Sequence, residues 1–215
     1  MNRQAEVPNN PPARFQAGLP LILLLVGLAA LGALHLTRPA LAGPAHRDAG
    51  SLEASWMNLL ANASFETDAN SDGIPDGWSS VGLGPNDRMT NGTAHEGTFS
   101  FQMLGVQGGS KVLYQRVNLS GAAGERFVVR GWSKSQGATA TGAYGLLLRI
   151  FYTDGTSSTN LVSFSSGTHN WQPVQRQAIA STDFNRVAVF VLYSNQAGAA
   201  WFDNLSLTQV APTPT

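Results

Sequence analysis

From residue 56 onward the chain never sustains a helical period. Short runs of β-branched and aromatic residues recur instead at even spacing, over 99–104, 112–119, 126–133, 143–153, 160–165, 173–180, 186–194 and 200–208. Turn formers separate them: Gly108-Gly109, the stretch 121–124, Asp154-Gly155 and the stretch 195–198. Runs of this length bounded by glycine and asparagine read as strands, and many of them in even succession predict an all-β, two-sheet antiparallel sandwich or jelly roll.

Alternation along each run assigns the faces, because successive side chains in a strand point to opposite sides. Phe127, Val129 and Gly131 oppose Val128, Arg130 and Trp132; Leu146, Leu148, Ile150 and Tyr152 oppose Leu147, Arg149 and Phe151; Leu113, Val117 and Leu119 oppose Tyr114, Arg116 and Asn118. Three runs therefore place an arginine among aromatics on the less apolar side. If they pair side by side, Tyr114, Arg116, Arg130, Trp132, Arg149 and Phe151 form one half-polar surface. Planar donors beside rings suit a sugar, whose apolar face stacks while its hydroxyls accept hydrogen bonds. The plainer alternative is a solvated face, with Trp132 packed beneath a loop.

The stretch 68–76 reads as a hard-cation loop. Asp68, Asn70 and Asp72 alternate, Gly73 follows, and Asp76 closes the run. Oxygen donors of this kind suit calcium. Position twelve counted from Asp68 is Ser79, with no flanking helix pattern, so the loop is not an EF-hand. A metal-free Asx turn is the competing reading. The preceding stretch, Asn58 to Glu66, reads as a short first strand.

The chain's 215 residues carry no net charge and no cysteine. The first argues against a nucleic-acid binder, which needs a basic patch; the second excludes disulfides and thiolate chemistry. Arg3 and Arg14 precede an apolar run over 19–36, and Ala40-Leu41-Ala42 follows Pro39. That order predicts a signal peptide over 1–42, cleaved after Ala42. The alternative is an uncleaved anchor, since about 18 apolar residues just span a bilayer. Either way the remainder is exported: a linker over 43–55, the folded unit over 56–209 and a Pro/Thr tail over 210–215. No enzyme is expected. Only His95 and His169 fall in the folded unit, and Asp154 and Asp183 read as turn and loop residues rather than the facing acids of a glycosidase.

Several motifs in order resemble a known family: Asn62-Ala-Ser-Phe-Glu66, Trp78 after Pro-Asp-Gly, Leu113-Tyr-Gln-Arg-Val117, the run over 127–134 ending Gly-Trp-Ser-Lys, Trp171-Gln172, and Ala200-Trp-Phe-Asp-Asn-Leu-Ser-Leu207. Together they resemble the carbohydrate-binding modules of the galactose-binding-like jelly-roll group, appended to secreted cellulases and xylanases. The resemblance implies a polysaccharide partner and a structural calcium linking first and last strands through Glu66 and Asp203. It does not imply individual sugar contacts. It also leaves a second role open, that of a surface or adhesive spacer without sugar binding.

Overall fold

Each of the eight runs predicted from residue 99 onward becomes a strand in the computed structural model, which describes residues 57–210. The expected signal or anchor, the linker and the tail beyond residue 210 lie outside the described residues. The strands are β1 (Ser79–Val81), β2 (Arg88–Thr90), β3 (Ser100–Leu104), β4 (Ser110–Val117), β5 (Arg126–Ala138), β6 (Ala143–Tyr152), β7 (Ser157–Ser163), β8 (Gly167–Ile179), β9 (Phe184–Ser194) and β10 (Ala199–Val210). They form two five-stranded sheets, ordered β1-β4-β9-β6-β7 and β2-β3-β10-β5-β8. All strand pairings are antiparallel. No helix occurs among the described residues.

The predicted faces hold. Leu113, Val129, Leu146, Leu148, Ile150, Val187, Val189 and Val191 are all inaccessible to solvent and fill the space between the sheets. Aromatic rings lock this core edge to face: Phe127 on Phe184 at 5.3 Å and 86°, Tyr144 on Tyr193 at 5.3 Å and 81°. Such pairs add about 0.5–1.5 kcal/mol each beyond their area burial. In β10 the inward residues switch parity, from Ala200 and Phe202 to Leu205 and Leu207. A register shift between Asp203 and Ser206, with Asn204 at φ 47°, absorbs the extra residue.

Three expectations are corrected. The stretch Asn58 to Glu66 is not a strand but a run of turns docked along β10, by Leu59 N–H to Leu207 C=O (2.8 Å) and Leu205 N–H to Ala63 C=O (2.9 Å). The Asn62 side chain shapes it. Its Oδ1 accepts from the N–H groups of Glu66 and Thr67, and its Nδ2 donates to the carbonyls of Thr67 and Asp76. This turn forces Phe65 to φ 57°, a strained conformation offset by full burial of its ring against Trp78 and Phe101. Second, β1 and β2 were not anticipated; each is three residues long and largely exposed, with no alternation to read. Third, β5 lies in the other sheet from β4 and β6, so the six proposed contact residues do not share one surface.

Candidate functional site

The outer face of the first sheet carries an ordered array. Register places Tyr114 of β4 beside Phe190 of β9, Phe190 beside Leu147 of β6, and Leu147 beside Leu161 of β7. This apolar row crosses four strands. Tyr114 and Phe190 lie nearly parallel, their centroids 5.5 Å apart at 25°. The next row places Ala188 between Arg116 and Arg149, and the one after sets Phe151 beside Arg186. Arg116 covers the Tyr114 ring at 5.0 Å, while Arg149 and Arg186 both lie over Phe151, at 4.8 and 4.4 Å. Arg149 also donates through Nε and Nη2 to Ser157 Oγ, at 3.0 and 2.8 Å.

Four of the six predicted contact residues thus meet on this face: Tyr114, Arg116, Arg149 and Phe151. The sequence reading omitted Phe190 and Arg186, although alternation in β9 displays them opposite Val187, Val189 and Val191. Chemically, the face offers partly exposed rings that can stack and guanidinium N–H groups that can donate.

Arg130 and Trp132 project from the opposite sheet. There the segment between β2 and β3 lies over the strands, and the His95 ring stacks on Trp132 at 3.9 Å and 19°. Trp171 meets the same imidazole edge-on at 5.6 Å. Trp132 is half-buried, with one face of its ring covered by this segment. Beside it runs a recess of about 650 Å³, bordered by Gln102, Lys134, His169, Asn170 and Trp201. Trp201 Nε1 donates to Gln102 Oε1 at 3.0 Å. His169 belongs to β8, where Nε2 lies 3.0 Å from the Ser165 carbonyl.

Both carboxylates expected at the ends of the chain converge on the covering segment. Asp203 Oδ2 accepts from the N–H groups of His95 (2.7 Å) and Glu96 (3.0 Å), and its Oδ1 from Asn204 N–H. Glu66 accepts from Thr98 and Phe99 N–H at 3.0–3.1 Å. Gly97 sits between these anchors at φ 69°, and a Cβ there would overlap Glu66 Oε1. Asp203 is completely buried and has no cationic side chain paired with it among the described residues. Burial pushes its carboxyl above the usual range, against the opposing pull of its three N–H donors.

The stretch 68–76 is arranged differently. Asp68 accepts from Asp72 and Gly73 N–H, Asp72 from Ile74 N–H and Asn70 Nδ2, and Asp76 from Ala69 N–H. These oxygens close their own turn, as Asx residues do. Among the described residues no three histidine or acidic side chains cluster in a way that would hold a metal ion. Of the two acids considered for hydrolysis, Asp154 accepts from the Thr156 hydroxyl (2.7 Å) and N–H (2.9 Å), which holds its carboxyl below the usual range. Asp183 accepts from Ala123 N–H.

No protein-family model matches the chain, and no curated protein matches it in sequence. Solved structures do. The carbohydrate-binding module TmCBM61, in complex with β-1,4-galactotriose, is 21% identical, with a TM-score of 0.52 over 71% of this chain and 99% of its own. A xylan-binding family 22 module from Paenibacillus barcinonensis is 20% identical, with a TM-score of 0.51 over 73% and 97%. A cyclase from Fischerella sp. TAU, in complex with 4-(1H-indol-3-yl)butan-2-one, is 16% identical, with a TM-score of 0.51 over 72% and 96%. At these identities the likeness is one of fold: the two-sheet sandwich that the motifs resemble, used elsewhere for sugar binding and for catalysis.

Proposed function

We propose that this chain is an exported, non-catalytic glycan-binding module whose ligand lies across the outer face of the first sheet. The observation that carries this reading is the row Tyr114–Phe190–Leu147, left partly exposed on a sheet whose other side is the core. Adjacent rings left partly exposed on the outer face of a sheet mark a surface that something else covers. Pyranose rings have the apolar faces to do so, and their hydroxyls match the arginine donors beside the row. The fold shared with sugar-binding modules supports the same reading.

The test is a polysaccharide pull-down across plant, algal and bacterial polymers, comparing wild type with Phe190→Ala and Trp132→Ala. Phe190→Ala abolishes retention while the protein stays folded; Trp132→Ala, on the covered sheet, keeps it. Loss with Trp132→Ala alone would move the site to the second sheet. Wild type retained by no polymer, but by a protein or by itself, would favour the spacer role, for which the 43% exposed Leu161 at the end of the row is the supporting feature.

We also propose a calcium ion at Glu66 and Asp203. A fully buried carboxylate without a cationic partner is costly unless a cation compensates it, and Glu66 reaches the same five-residue segment. Main-chain carbonyls would complete the shell. The turn over 68–76 is the poorer site, because its acids are partly or fully exposed whereas Asp203 is buried. Chelation should lower the melting temperature of wild type and leave Asp203→Asn unmoved; a wild-type midpoint indifferent to chelator would dismiss the ion.

A further inference from the structure

The outward positions of the first sheet include Arg116, Arg149 and Arg186, and none is aspartate or glutamate. This is not the by-product of a basic chain, since the formal net charge is zero. Nor are these arginines neutralised by protein. The one ion pair among the described residues is Lys111–Asp87, in the interior. Arg149 turns two donors to a serine hydroxyl. Arg186 lies over the Phe151 ring and makes no side-chain hydrogen bond or ion pair among the described residues.

Position sharpens the point. Arg149 and Arg186 share the Phe151 ring, so two like charges are held at diagonal positions on adjacent strands. An anion seated against their outer N–H groups would offset this concentration of positive charge. Arg116 and Arg149 flank Ala188 from either side, two strand spacings or roughly 10 Å apart, so alternate units of one polymer can meet the two arginines. The guanidinium fork matches a carboxylate bidentately.

Building on the glycan-binding reading above, we infer that the polysaccharide taken by this face is acidic, with uronate carboxylates seated against Arg116, Arg149 and Arg186 and its ring faces on Tyr114, Phe190 and Leu147. A nucleic acid, charged at every unit, needs a longer basic track than three arginines on a neutral chain provide.

The experiment uses the whole chain against polygalacturonate and polyglucuronate, each paired with its fully methyl-esterified form, which keeps the sugar and removes the charge. Affinity for the acids exceeds that for the esters by roughly tenfold or more, as charge-assisted bonds require. The gap narrows with added salt and closes in Arg149→Gln/Arg186→Gln. Arg186→Lys, which keeps the charge without the fork, retains part of it. Equal binding of acid and ester would overturn the acidic preference while leaving the glycan module standing. Retention of neither form, nor of any other polysaccharide, would remove the parent reading and this one together. Single-stranded DNA bound as tightly as polyuronate would show a general polyanion surface and also overturn it.

Discussion

Replacing Lys111 with methionine isolates the energetic weight of the interior ion pair. Lys111 Nζ lies 2.6 Å from Asp87 Oδ2, and their side chains are only 7% and 1% exposed. Asp87 also accepts from Gly84 N–H and from Leu104 N–H (2.7 Å), so it ties the loop before β2 and the end of β3 to the start of β4. Lys111→Met preserves the volume of the stem but leaves a buried carboxylate without its counter-charge. Breaking such a pair costs about 3–5 kcal/mol. The two surviving N–H bonds place Asp87 near the lower limit, about 3 kcal/mol, a large part of the roughly 5–15 kcal/mol that holds a domain folded. At about 2–4 °C per kcal/mol for a domain of this size, the melting temperature falls on the order of 10 °C. Urea unfolding and calorimetry measure both quantities. The double variant Asp87→Asn/Lys111→Met recovers most of the loss, because no charge is then stranded. A single-variant loss under about 1 kcal/mol, the range of solvated pairs, or a double variant no better than the single, would refute the argument.

Two further outcomes follow from the covering segment. In chelator, the raised carboxyl of Asp203 makes the folded state hold its proton where the unfolded chain has released it. Its contribution is therefore whole below the ordinary aspartate range and is lost as pH rises through the folded value. Urea titrations across that range should show Asp203→Asn gaining on wild type with rising pH; a difference independent of pH would contradict this. Gly97→Ala combines a left-handed φ with overlap on the Glu66 carboxylate and should cost about 1–3 kcal/mol; a neutral result in thermal melts would mean that Glu66 does not hold this segment.

Alternation was legible in the sequence because it is a local property. Phe127/Val129 against Arg130/Trp132, and Leu146/Leu148 against Arg149/Phe151, needed only the period of the strand. Which strands neighbour one another is not local. Arg130 and Arg149 look equivalent in the sequence, yet β5 pairs with β10 and β8 while β6 pairs with β9 and β7, and the two arginines face away from each other across the core. Phe190 and Arg186 were missed for the same reason, since nothing near them announces that β9 is the central strand between Tyr114 and Phe151. The spacing of Asp68, Asn70 and Asp72 serves a self-bonded turn as well as a cation loop, and only the destination of each N–H separates the two. The motif resemblance singled out Glu66 and Asp203 as calcium ligands but gave no sign of the 95–99 segment whose N–H groups donate to both, and the Asp87–Lys111 pair, twenty-four residues apart, leaves no periodic trace.

Asn58 accepts from Leu60 N–H and Leu207 N–H through Oδ1 and donates to the Leu205 carbonyl through Nδ2, so the chain enters the domain already fastened to the strand by which it leaves. This has a mechanical consequence. Tension drawn between the two ends acts first on the short seam between residues 58–63 and 205–207, before it reaches either sheet. Rupture of that seam frees Phe65 and Leu60 from the core, and the sandwich then yields from its edge inward. Asn58 supplies two of the bonds across that seam, beside the main-chain pair, so its removal would weaken the domain under pull more than under heat.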